Sequence, residues 1–126
     1  MSTIRVDDVG PSAGGTTKSL VRGTASAWVN FNGEGTIAAR DSLNLSSLTD
    51  NGTGKYTTSF TNSFDSANYS CVSQCSYKDA GSSNATLNMF ETTGLSVSSA
   101  PYICQFGGGG NVDRPYNFIS NDGDLA

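Results

Sequence analysis

Residues 28–61, WVNFNGEGTIAARDSLNLSSLTDNGTGKYTTSFT, constrain the fold more than any other part of the chain. Side chains on a strand alternate between faces, and this stretch alternates: Val29 and Phe31 fall on one side, Trp28 and Asn30 on the other. A second run places Tyr56 and Phe60 on one face and Thr57, Ser59 and Thr61 on the other. Asn32-Gly33 is a dipeptide that favours positive φ at both central positions of a turn. It predicts a tight hairpin with residues 36–38 as the return strand. Residues 41–48 carry Leu43, Leu45 and Leu48 at a spacing too mixed for a helix, so they read as one short irregular strand. Residues 49–54, TDNGTG, form the next turn.

The rest of residues 25–126 continues in the same manner. A loop at 62–68 turns Phe64 and Ala67 inward. In the strand after it, Tyr69, Cys71, Cys75 and Tyr77 share a face and Val72 takes the opposite one. Residues 78–84 form a turn around Gly81. Further strands are expected at 85–91, 95–99, 102–106 and 114–119, with Pro101 at a strand start or edge because it has no amide hydrogen to donate. No segment has the periodicity of an amphipathic helix. Many short strands at regular spacing predict an all-β antiparallel β-sandwich or jelly-roll-like domain over 25–126.

Residues 1–24 form a separate N-terminal arm in this reading. Ile4 and Val6 can make a short strand, which Pro11, Gly14 and Gly15 then break. So few apolar residues cannot support a fold, so the arm is either a loose terminus or an attachment or strand-exchange arm ordered by another chain. The main domain is also poor in core material. Hydrophobic residues make up 36% of the chain and charged residues 14%, against about 45–50% and roughly 25% in ordinary domains. A polar, uncharged, β-prone chain with a thin core commonly completes it by oligomerising.

Charge and composition close several function classes. Seven basic residues against eleven acidic ones give a net charge of −4, and no Lys/Arg cluster is present to neutralise phosphates, so nucleic acid is not an expected partner. No apolar run is long enough for a membrane-spanning helix, and the opening MSTIRVDDVGPSAGG lacks the charged-then-apolar order of a signal peptide. The chain is therefore expected to be made in a cytoplasm. Without histidine, neither a Ser-His-Asp nor a Cys-His arrangement exists. A carboxylate pair such as Glu34 with Asp41 or Glu91 is formally open to glycoside hydrolysis, but each sits in a turn or on a polar face, so no enzyme is expected. Gly107 to Gly110 is followed by Asn111, Val112 and Asp113 and not by the Gly-Lys-Ser/Thr of a phosphate loop. It reads as a strand connection or an adaptable tip loop. Residues 121–124, NDGD, have calcium-like spacing but lack the later glutamate of a full loop. Cofactors and metals are expected to be absent.

Three cysteines are an odd number. On one strand face, Cys71 and Cys75 would lie about 13 Å apart at roughly 3.3 Å per residue, too far to bridge each other. Small buried thiols, a disulfide to Cys104 and a metal site all remain open. The aromatics Tyr69, Tyr77, Tyr102, Phe106 and Tyr116 suit a core, a subunit interface or stacking on sugars.

The wording of the central stretch goes further than its physics. Residues 28–40, WVNFNGEGTIAAR, resemble the opening of a domain in bacteriophage tail-fibre and other virion appendage proteins, which runs W-V-N-F-N-G-x-G-T-V-A-I-R. The similarity continues through residues 44–54, NLSSLTDNGTG, then Tyr56-Thr57, Phe60 and Ala67-Asn68-Tyr69. It spans about residues 27–77, and the opening STIRVD is similar to the S-T-I-K-V-D starts of the same proteins. Ala39 departs from the family, which has a bulkier apolar residue there, and the cysteines fit no family pattern. The resemblance implies a homotrimeric virion structural protein, a tail-fibre component, made in the host cytoplasm and released by lysis. Ile4 and Val6 would then dock the arm onto another virion protein. Trp28, Phe31, Tyr56, Phe60 and Tyr69 would form the fold core or a subunit interface. A host-surface glycan is the candidate external partner. A capsid head-fibre or decoration protein is the alternative role, and a glycan-cleaving enzyme a remote one.

Overall fold

Strand β3 (Ala27–Asn32) begins the main body, and its inward residues Ala27, Val29 and Phe31 are buried. A computed structural model describes residues 8–9, 18–19, 25–76, 86–90, 93–106 and 109–126, of which 8–9, 18–19 and 86–90 are described as backbone. Ile4, Val6, Tyr77, Glu91, Gly107, Gly108 and the turn at 78–84 lie outside the described residues. Near the start, β1 (Asp8–Val9) pairs antiparallel with β2 (Lys18–Ser19).

Eight further strands make two antiparallel sheets, and no helix occurs among the described residues. They are β3, β4 (Ala38–Leu43), β5 (Leu45–Asp50), β6 (Lys55–Phe60), β7 (Ser70–Cys75), β8 (Thr86–Phe90), β9 (Ser99–Phe106) and β10 (Asn117–Asp122). One sheet has the order β4-β3-β10-β7 and the other β5-β6-β9-β8. The architecture is that of a β-sandwich, with the inner faces of the two sheets supplying one core.

Period-2 patterning explains which residues meet in that core. Tyr56, Thr58 and Phe60 of β6 and Ala100, Tyr102 and Cys104 of β9 face Ala27, Val29 and Phe31 of β3 and Ile119 of β10. Phe31 meets Tyr56 edge-on across the sheets at a centroid distance of 5.0 Å. At one end, Phe60, Phe64 and Tyr69 cluster, with Phe64 stacked on Tyr69 at 4.2 Å. The core is mixed, since Asn117 and Asn121 of β10 also point inward. The Tyr102 hydroxyl donates to Asn121 Oδ1 at 2.6 Å, and Asn117 Nδ2 donates to the Arg114 carbonyl at 2.8 Å. Each buried amide thus makes one of these hydrogen bonds, while Asn117 Oδ1 is buried without a donor.

The hairpin after Phe31 differs from the sequence expectation. Gly33 does not have a positive φ, and Gly35, at φ 64°, takes the left-handed position instead. Gly33 is buried, and a methyl group there would run into the Tyr56 hydroxyl and Asn117 Nδ2. The wider connection between Asn32 and Ala38 follows, with Asn32 Oδ1 accepting from the Glu34 amide at 3.3 Å. The strand expected over 41–48 is also two strands. Asn44, at φ 56°, turns the chain so that β4 ends in one sheet and β5 begins in the other. The strand expected at 95–99 is a turn closed by a Ser96–Ser99 bridge. Pro101 is the third residue of the inner strand β9, paired with Thr57 of β6 and one residue short of the β8 ladder, which reaches Tyr102.

Candidate interaction face

The inner faces of the sheets are occupied by the core, and among the described residues the outer face of β4-β3-β10-β7 carries three of the exposed large apolar side chains, Leu43, Val72 and Phe118. Alternation along β3 sends Trp28 and Asn30 outward, while β10 sends Phe118 and Ser120 the same way. Register then assembles two rows across the sheet. One runs Leu43–Trp28–Ser120–Val72 and the other Asp41–Asn30–Phe118–Gln74. Leu43, Val72 and Phe118 are 48%, 62% and 45% exposed, and Trp28 is half-buried. Between Trp28, Asn30, Val72, Gln74, Phe118 and Ser120 lies a shallow depression of about 440 Å³.

Asn30 is chemically notable within this depression. Its Oδ1 is shielded from water yet has no hydrogen-bond donor. An unsatisfied buried acceptor costs about 1–3 kcal/mol, so a covering surface that supplies a donor would recover part of that. In β4, Arg40 is the extra residue of a bulge between Ala39 and Asp41, and its Cζ lies 4.2 Å from the Tyr116 ring centroid. That geometry is a cation–π contact, which orders an arginine at the strand edge. The face as a whole combines aromatic and aliphatic area with amide and hydroxyl groups. It is suited to burial against another protein surface.

The residues singled out from sequence separate into two groups. Phe31, Tyr56, Phe60 and Tyr69 lie inside the sandwich, whereas Trp28 lies on the outer face. Tyr56 is the hub of a buried polar knot: its hydroxyl donates to Asp113 Oδ1 at 2.8 Å and reaches the Gly33 carbonyl at 3.1 Å. Asp113 Oδ1 also accepts from the Gly54 amide at 2.7 Å. Much of the wording that carries the phage resemblance, NFNG and TDNGTGxY, therefore builds core and turns. Burial, reinforced by the Asp113 carboxylate, pushes the Tyr56 phenol far above its ordinary value. Burial does the same to Tyr69 and Tyr102.

Other candidates do not come together. Glu34 sits in the β3–β4 connection and Asp41 is exposed on β4. Asp65, Asp122 and Asp124 line a hollow of about 480 Å³, but no group of three or more Cys, Asp or Glu side chains among the described residues is arranged to hold a metal ion. Cys71 and Cys75 share the inward face of β7, and Cys75 Sγ lies 3.1 Å from Cys104 Sγ on the facing sheet. Phe118 and Asp113 were not among the residues the sequence marked out. Phe118 is the outward apolar residue of a strand whose Asn117, Ile119 and Asn121 face inward, and Asp113 acts on residues 57 and 59 positions away. Neither has a local signal.

No family model, curated protein or solved structure matches this chain.

Proposed function

We propose that this chain is a bacteriophage virion structural protein, a homotrimeric tail-fibre component. In this reading, residues 1–24 dock onto a neighbouring virion protein and the main domain contacts the host surface, with a glycan as its candidate ligand. The outer face bearing Leu43, Trp28, Val72 and Phe118 is buried between subunits. The observation that carries the assembly is that face: three large apolar side chains between 45% and 62% exposed on one sheet of a chain with a thin core. An apolar sheet face of this kind is stabilised by association. The resemblance over residues 27–77 supplies the phage context.

The deciding experiment locates the protein in purified virions by cryo-electron microscopy and counts it by quantitative mass spectrometry. A few copies arranged as trimers at the tail are expected. Hundreds of copies on the capsid would replace the fibre with a decoration protein, and absence from the particle would overturn the virion reading. Deletion of residues 1–24 is expected to leave a folded trimer that no longer joins the particle.

A further inference from the structure

The inner face of the sandwich brings two thiols together from opposite sheets. Cys75 ends β7, an edge strand of one sheet, and Cys104 lies in β9, an inner strand of the other. Cys104 donates its S–H to Cys75 Sγ at 3.1 Å. A disulfide needs a sulfur separation of about 2.0 Å, so closure requires only a small approach of side chains that already point at each other. Cys104 is fully buried and held by its backbone: its amide donates to the Gly54 carbonyl at 2.7 Å, and its carbonyl accepts from the Val112 amide at 3.0 Å. Cys75 is half-buried, leaving it the accessible member of the pair.

We propose that Cys75 and Cys104 are a built oxidation site: when the folded chain meets a small-molecule disulfide, they form an inter-sheet cross-link and Cys71 stays reduced. The Cys75 thiolate attacks one sulfur of glutathione disulfide, forming a mixed disulfide and releasing one glutathione thiolate. Cys104 then gives up its proton, and its sulfur attacks Cys75 Sγ. The second glutathione leaves as thiolate and is protonated. Two protein thiols are oxidised to one disulfide, and one glutathione disulfide is reduced to two glutathiones.

Electrostatics support this division of roles. The hydrogen bond from Cys104 and the nearby Arg114 charge hold Cys75 below the ordinary thiol value, against the opposing effect of burial. Donation to Cys75 and burial push Cys104 far up, so Cys75 makes the first attack on glutathione disulfide and Cys104 follows only once Cys75 carries the glutathione. Burial pushes Cys71 up to about 11, which keeps it protonated and slow to react.

The test treats the full reduced chain with glutathione disulfide and reads intact mass, differential alkylation and thermal melting. Loss of two hydrogens is expected, with only Cys71 alkylated; fragmentation of the peptide from Tyr56 to Lys78 distinguishes Cys71 from Cys75. Oxidised protein should melt higher by about 5–15 °C, because the bond restricts the unfolded chain. Cys71→Ser should still cross-link. Cys104→Ser should stop with glutathione on residue 75. Three alkylatable thiols after oxidation, or a cross-link that persists in Cys75→Ser, would overturn the assignment; the wild-type mapping decides the matter even where a variant folds poorly.

Discussion

Tyr56, Asp113, Gly33 and Gly54 show how single residues lock this sandwich. Gly54 has φ 65°, and a Cβ there would lie 2.5 Å from the Cys104 carbonyl oxygen and 2.6 Å from the Val112 amide. Those atoms are backbone and cannot swing aside. Gly54→Ala is therefore expected to lose about 3 kcal/mol in denaturant unfolding, combining left-handed strain with overpacking. Gly35→Ala is the control: φ is 64° but nothing lies within 4 Å, so only the strain of about 1 kcal/mol should appear. Equal losses at the two positions would show that close approach is not what fixes Gly54. The buried phenols make a second prediction. Tyr56, Tyr69 and Tyr102 all have raised values, so the folded chain holds these protons more tightly than the unfolded chain. Their contribution is whole below the ordinary phenol value of about 10 and is lost above it, at up to about 1.4 kcal/mol per pH unit for each. Cys71 adds a loss between its ordinary 9.0 and about 11, while in the Cys75–Cys104 pair Cys75 is held low and Cys104 pushed up, so the two act in opposite senses. In a Tyr77→Phe, Tyr116→Phe background, which leaves only the three buried phenols, phenolate absorbance and circular dichroism should change together in one alkaline transition. Phenolate appearing well before the fold is lost would contradict burial of these hydroxyls.

Among the elements, β3 and β6 were legible because Val29 with Phe31 and Tyr56 with Phe60 fall on one face at strand spacing, although Trp28 and Thr58 break strict alternation. The β4–β5 corner was not. Leu43 and Leu45 have the spacing of one strand face, but Asn44 at φ 56° directs Leu43 to the outer face and Leu45 towards the core. Asparagine tolerates that conformation, and its side chain is tied down: Nδ2 donates to the Asn62 carbonyl at 3.0 Å, and Oδ1 accepts from the Asn62 amide at 2.7 Å. Strand β10 was misleading for the opposite reason. Its amides face inward, where the Tyr102 hydroxyl donates to Asn121 Oδ1 and Asn117 Nδ2 donates to the Arg114 carbonyl, which leaves Phe118 on the outer face. The Tyr102–Asn121 pair joins residues 19 apart and has no local pattern, so Phe118 was invisible in sequence while Trp28 was not. The corner itself can be tested by two substitutions. Asn44→Gly relieves the backbone but drops the side-chain bonds to Asn62, so stability should stay within about 1 kcal/mol. Asn44→Val places a β-branched residue at positive φ and should cost about 3 kcal/mol in denaturant midpoint. A tolerated valine would mean that the corner is not held by this residue.

For the whole molecule, the outer face decides whether the chain acts alone. In a monomer, Val72 and Phe118 stand in water, and polar substitution there changes stability by no more than about 0.5 kcal/mol. Buried between subunits, the same side chains would lose their packing, and the introduced charges would be desolvated. The double variant Val72→Lys with Phe118→Asp is therefore expected to sediment as a monomer where the parent sediments as a trimer, with its circular dichroism unchanged. Association also adds a signature in stability, because mass action makes the melting temperature of an oligomer rise with protein concentration. That dependence should be present in the parent and absent in the double variant. Val97→Lys is the control: Val97 is 38% exposed but belongs to the turn before β9, away from this face. It should remain trimeric. A monomeric parent would remove the subunit interface from the proposal, and a trimeric double variant would move the interface to a different surface. Either result separates the assembly from the phage context, which rests on residues that build the core and turns and is tested by locating the protein in the particle.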